Sequence, residues 1–339
     1  MRAGLRFTVI VLILFTVFSS CKRNPYRVNI SSVSADITVE RLEKDLFSID
    51  PSGIETSIPY LREKYGEFLQ LFSYVTHLGD IDDTLFAESL TLFCTDKLNY
   101  EVYQSVMGKY PDIISIEEDL KRAFRHYKYY FPGKRIPSLY TCITGFNNSL
   151  IVDDNIIGIS LDRYLGSDCE YYPRLQIYKY IAARMNSWNI VPDCMYGWAS
   201  SEWDYSSMGY AADNVMTSII HEGKLKYFTK CMMPSANDTV LFGFSDGQMK
   251  FCRNNEMQMW YYIIENDLLF STDQFTIRKL TGEAPFTTYF TNESPGKAAV
   301  WLGFRIIESY MKRNNVLLGE MMDNTDVQSI LESAKYDPK

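Results

Sequence analysis

The apolar pattern of this 339-residue chain changes period in its middle, and that change limits its architecture more than any other feature. Over 54–78 the apolar residues recur at helical spacing, and the stretches 83–95 and 99–110 behave alike. Ser115 with Glu118 forms a capping box ahead of SIEEDLKRAFRHYKYYF, which Pro132-Gly133 closes. The spacing then shortens. IPSLYTCITGF and NSLIVDDNIIGISLD read as strands, with Asp153-Asp154-Asn155 as a turn, and 36–48 alternates as a first strand running into a turn. Beyond Gly166 the spacing predicts helices near 173–186, 209–230, 245–253, 256–268, 296–313 and 325–334. A helical front, a small antiparallel sheet and a helical back half predict a mostly helical α+β domain.

The first residues decide where that domain works. Arg2 and Arg6 precede an apolar run over 7–18, then Ser19, Ser20 and Cys21. The run is shorter than the roughly 20 residues a bilayer span needs, so 1–20 reads as a secretory signal. A cysteine directly after small residues is where lipoprotein processing attaches its acyl chains, which makes Cys21 the predicted lipidation site. Residues 21–35 are polar, carry Pro25 and read as a tether. Residues 36–339 then form a single domain. Lys22 and Arg23 follow the cysteine where surface-directed lipoproteins carry acids, so an outer-membrane anchor facing the periplasm is expected.

Removing 1–20 deletes two arginines and no acid, taking the formal charge from −8 to −10. An acidic chain without a basic run argues against nucleic acid as partner. Cys94, Cys142, Cys169, Cys194, Cys231 and Cys252 remain, and none forms a CxxC, so buried free thiols are expected rather than a zinc ribbon. The aromatic share of 15% is assigned mainly to the core.

Three histidines, His77, His126 and His221, restrict the chemistry. A thermolysin-type zinc site needs two imidazoles one helical turn apart with a glutamate as base. The near-match His221-Glu222-Gly223-Lys224-Leu225 puts leucine where the second imidazole belongs. No GxSxG, P-loop or GxGxxG precedes a helix. Glu222 nevertheless continues the Val215–Ile219 apolar line, and Gly223 beside it costs about 1 kcal/mol in a helix unless close packing requires it. A former metal ligand and a surface Glu222–Lys226 pair both fit that pattern. Asp162 fits a turn cap, a cation ligand or core packing. Ala298, Ala299 and Gly303 offer a small-residue face that is predicted to meet the Glu222 helix.

TSIIHEGKLKYF and AVWLGFRIIESYMK resemble, in order and spacing, two helices of a family of predicted bacterial zinc proteases. The region expected to hold HExxH, YPRLQIYKYIAARMNSW (172–188), has no histidine, and of the ligands only the Glu222 position is kept. YYFPGKRIP (129–137), GISLDRYLG (158–166), EGKLKYF (222–228), QMWYYIIENDLLFST (258–272), APFTTYF (284–290), SPGKAAVWLGF (294–304) and LESAKYDP (331–338) together resemble the GldB family of gliding-motility lipoproteins of the Bacteroidetes.

This resemblance implies a degenerate, zincin-like domain without cofactor or metal, with Glu222, Gly223 and Asp162 as remnants of a site. It also implies a cell-envelope lipoprotein of motility or secretion machinery, non-catalytic and engaged with protein partners. The alternative is a peptidase or peptidoglycan-acting enzyme with an unconventional site, which requires a polar cleft where Glu222 meets other titratable groups. A third class, glycan binding, requires exposed coplanar aromatics.

Overall fold

The computed structural model describes residues 24–339; the predicted signal and Cys21 lie outside them. Strand β1 (Val39–Arg41) runs directly into helix α1 (Leu42–Ser48), where a turn was expected. The predicted helix over 54–78 is two helices, α2 (Ile54–Tyr65) and α3 (Glu67–Val75), because Gly66 breaks it at φ 49°. Helices α4 (Phe86–Thr95), α5 (Lys97–Lys109) and α6 (Ile114–Tyr130) complete the front. Helix α6 begins one residue before Ser115 and has no side-chain cap, so the Ser115–Glu118 box does not form.

Strands β2 (Ser138–Cys142), β3 (Leu150–Asp153) and β4 (Ile156–Ser160) join β1 in one sheet of order β1-β2-β4-β3. The sheet is mixed rather than antiparallel. β1 pairs with β2 and β2 with β4 in parallel, and only the β3–β4 hairpin is antiparallel. The local hairpin is written in its turn residues, whereas the parallel pairings join segments brought together by longer connections.

Both faces of the sheet are covered. Ile151, Ile156 and Cys142 face a core with Phe68, Phe72, Leu61 and Leu90 from the front helices. Leu139, Ile157 and Ile159 face a larger core built from the back half. Such a strand cannot alternate polar and apolar residues, and β4 is buried throughout. Gly158 is needed there, since a Cβ would stand 2.3 Å from the Phe68 ring.

The back half departs from expectation at its start. Instead of one helix over 173–186 there are two single turns, α7 (Tyr171–Arg174) and α8 (Lys179–Ala182), separated by Gln176 at φ 57°. Helix α9 (Ile190–Glu202) was not predicted. Helix α10 (Val215–Met232) follows, capped by Asn214, whose side chain accepts the Thr217 N–H at 3.0 Å. Then come α11 (Asp238–Phe242), α12 (Asp246–Asn254), α13 (Glu256–Glu265) and α14 (Gln274–Thr281). Helices α15 (Ala298–Arg313), α16 (Leu318–Asp323) and α17 (Val327–Ala334) close the chain. No helix among the described residues is long and apolar enough to cross a membrane.

The predicted tether is not free over its described part. Asn24 donates to the Pro234 carbonyl at 2.8 Å, and Tyr26 is buried with its ring edge-on to Tyr227. Arg125 donates to the Val33 carbonyl at 2.7 Å and the Ile30 carbonyl at 2.5 Å. Polar composition hid this because one aromatic side chain and backbone carbonyls do the holding.

Candidate functional site

Helix α10 is the centre of the molecule. Val215, Thr217, Ile220, Leu225, Phe228 and Thr229 are buried around its whole circumference, so it has no single apolar stripe. Its closest neighbour is α15, through the small residues named above. A Cβ on Gly223 would lie 2.2 Å from the backbone of Gly303, and one on Gly303 would lie 1.8 Å from the Ile219 carbonyl oxygen. The two backbones therefore touch, as the small-residue face predicts.

Beside Gly223, Glu222 is half-buried and accepts a hydrogen bond from the Tyr196 hydroxyl at 2.8 Å. Tyr196 comes from α9, so the helix facing Glu222 is 190–202 rather than 172–188. Lys226, one turn on, does not pair with Glu222 on the surface. Its ammonium is buried, donates to the Leu241 carbonyl at 2.9 Å and stands 4.2 Å from the centre of the Tyr196 ring. Burial, with Lys297 and Arg184 nearby, brings the Lys226 amine down to about 7. Burial and then the Glu222 carboxylate push the Tyr196 phenol well up, so it remains a donor.

A second charged group adjoins this one. Glu283 pairs with both Arg184 and Lys297, and Arg184 also lies 3.6 Å from Asp193 of α9. Burial alone would raise the Glu283 carboxyl, but the two cations hold it at about 2. Asp193 accepts the Tyr164 hydroxyl at 3.0 Å. The segment carrying Lys297 is set rigidly. Gly296 has no room for a Cβ beside the Ala284 carbonyl, and Lys297 adopts φ 51°. Thr287 fixes it, accepting the Ala298 N–H at 2.9 Å and donating to the Pro295 carbonyl at 2.8 Å.

Arg184, Glu283 and Lys297 line a cleft of about 290 Å³ with Tyr180 and Trp188 at its side. Trp188 is 62% exposed, and the exposed Tyr178 stacks on Tyr180 at 5.7 Å with 14° between the rings. Glu222, Tyr196 and Lys226 do not line it. The charged triad shares the lining of the cleft with the polar residues Asn189, Thr239, Ser245 and Gln248.

The remaining candidates lie elsewhere. Asp162 is fully buried and accepts the backbone N–H groups of Phe146 at 2.6 Å and Thr144 at 3.2 Å. It thereby holds the loop between β2 and β3, where Gly145 and Phe146 both have positive φ. That role is the core packing considered for it, not a ligand position beside Glu222. His221 bonds the Tyr210 hydroxyl at 2.9 Å, and burial lowers its imidazole to about 4. His126 is bonded to the Arg122 carbonyl, and His77 is exposed on a turn. The six cysteines are free, five of them buried and Cys169 half-buried.

Zinc, which the peptidase resemblance implies, does not fit here. Glu222 already accepts the Tyr196 phenol, and its other described neighbour is the Lys226 amine rather than a carboxylate, imidazole or thiolate. Among the described residues no three His, Cys, Asp or Glu side chains converge as a ligand set.

Sequence reasoning missed Tyr196, Asp193, Arg184 and Glu283. Lys297 lay inside SPGKAAVWLGF without drawing attention. One signal was available: Asp193 and Tyr196, three apart, share a helical face only once 190–202 is read as a helix.

Four of the motifs that carried the resemblance supply residues at or beside this cluster. GISLDRYLG supplies Tyr164, EGKLKYF supplies Glu222 and Lys226, APFTTYF supplies Thr287, and SPGKAAVWLGF supplies Lys297 and Gly303. No curated protein and no solved structure matches the chain. The family model described as gliding motility protein GldB matches residues 23–338, nearly the whole length, and the chain belongs to that family of lipoproteins.

Proposed function

We propose that this GldB-family protein is a non-catalytic lipoprotein of the cell envelope that binds a protein partner of the motility or related secretion machinery. Its anchor is lipid on Cys21, and its place is the periplasmic side of the outer membrane. The observation that carries the non-catalytic reading is that the Tyr196 phenol and the Lys226 amine fill Glu222's surroundings, and none of the three lines the cleft. A relation to zinc peptidases fits the same geometry. In α9, Pro192, Asp193 and Tyr196 have the sequence spacing of the first histidine, the glutamate and the second histidine of HExxH, and Tyr196 is the one that meets Glu222.

The test is complementation of a deletion in a gliding source strain. Glu222→Ala should restore motility in proportion to the amount of folded protein. Loss of motility with normal protein levels would contradict the proposal.

One observation favours the enzymatic alternative. Glu222 does meet other titratable groups, and the Lys226 amine at about 7 is poised between its two protonation states. That alternative predicts turnover of peptide or peptidoglycan that Glu222→Gln abolishes while the fold is kept.

A further inference from the structure

We propose that the folded body sits directly on the lipid headgroups, through the face carrying Asn24, Arg27 and Ser235, and does not hang from a flexible linker. The proposal rests on the reading that Cys21 is lipidated.

The argument is one of reach. A free linker over 21–35 would let the body wander on the order of 20 Å from its anchor, at about 5–6 Å times the square root of its length. The structure removes most of that linker. Asn24 is bonded to Pro234, and the Tyr26 hydroxyl donates to Glu308 of α15 at 2.5 Å. Arg125 on α6 clamps the carbonyls of Ile30 and Val33. The body therefore begins at Asn24.

From Cys21 to Asn24 there are three residue steps, which span at most about 10–11 Å. The acylated cysteine sits at the edge of the hydrocarbon, and the headgroup layer above it takes roughly 5–7 Å. Only a few ångströms are left. The Asn24 end of the body must then rest against the headgroups, and with it the neighbouring exposed residues Arg27, Ser235 and Asn237.

Charge agrees with this placement. Lys22, Arg23 and Arg27 put three cations within seven positions of the anchor, in a chain whose formal charge is −8. Anionic phosphates attract that end and repel the acidic remainder. The cleft begins close by in sequence, since Thr239 and Val240 line it four and five residues after Ser235. A membrane-seated body would therefore present the cleft at a fixed height above the lipid.

The experiment uses the whole lipoprotein in vesicles of phosphatidylethanolamine and phosphatidylglycerol that carry a headgroup quencher. A fluorophore is placed by Ser235→Cys or by Leu92→Cys, in a Cys169→Ser background that removes the most accessible native thiol. Leu92 is exposed on α4, whose buried face belongs to the other core. Quenching at 235 should exceed that at 92 several-fold, and Tyr26→Ala with Arg125→Ala, which frees the segment, should shrink the difference. Equal quenching at both positions would overturn the proposal, as would a difference that survives those two substitutions. The mass of the N-terminal peptide reports the anchor separately. An unmodified Cys21 would overturn both this proposal and the reading beneath it.

Discussion

Gly223 and Asp162 were both singled out as remnants of a site, and each turns out to perform a packing task that can be measured. At Gly223 the obstacle to any side chain is backbone, with Gly303 and Phe304 2.2–2.7 Å from where a Cβ would stand. Backbone cannot rotate away, so Gly223→Ala should destabilise the protein by about 2 kcal/mol or more. Gly108, near the end of α5, has nothing within 4 Å of its Cβ position. Gly108→Ala should therefore act in the opposite direction, stabilising by roughly 0.5–1 kcal/mol through helix propensity. Urea denaturation of the two variants checks the pair, and similar effects at both positions would contradict the packing account.

Asp162 gives a pH signature. Burial pushes its carboxyl up to about 6, against the lowering effect of the Phe146 and Thr144 amides. One carboxylate oxygen has no partner. Because the folded value lies above the unfolded one of about 4, the stabilising contribution is complete below pH ~4 and is lost as pH rises through ~6. The difference is on the order of 3 kcal/mol. Asp162→Asn should flatten the stability profile between pH 4 and 6 relative to the parent. An unchanged slope there would show that the carboxyl titrates normally in the folded state.

Among elements, the pair α9 and α10 matters most. Tyr196 and Glu222 connect them by a hydrogen bond to a carboxylate, a class of interaction worth about 1.5–3 kcal/mol. A double-mutant cycle with Tyr196→Phe and Glu222→Gln should return a coupling energy of about 1–2 kcal/mol. A coupling near zero would mean that the contact does not join the helices in solution. Helix α15 was legible because small residues at 298, 299 and 303 leave one clear contact face, and its partner carries Gly223. Helix α9 was not legible. Ile190, Val191, Cys194, Met195, Trp198 and Ala199 do recur on one buried face, but Pro192 and Gly197 interrupt the pattern and lower its helix propensity. Gly197 has a purpose that sequence does not disclose, since it lets α9 approach Leu150 and Val152 of the edge strand β3. The break between α7 and α8 was missed for the converse reason. Its apolar spacing is helical, but Gln176 takes the left-handed conformation.

At the scale of the molecule, the mostly helical α+β character followed from the switch of period, and the family from motifs spread over nearly the whole chain. The mixed sheet did not follow, because parallel pairing depends on connections that leave no local mark. The charge cluster was only half visible. Glu222 lay on a suggestive helix, while the rest of the cluster comes from four other places, Arg184, Asp193 with Tyr196, Glu283 and Lys297. The proposed role of holding a protein partner rests on that cluster lying beside a cleft lined by Arg184, Glu283 and Lys297. The central claim is that Glu222 belongs to this protein-internal network and not to a catalytic metal site. Metal analysis of the full lipoprotein purified from its own envelope tests it most directly. The account predicts substoichiometric transition metal that washes away; one tightly held metal ion per chain, lost in Glu222→Gln, would contradict it.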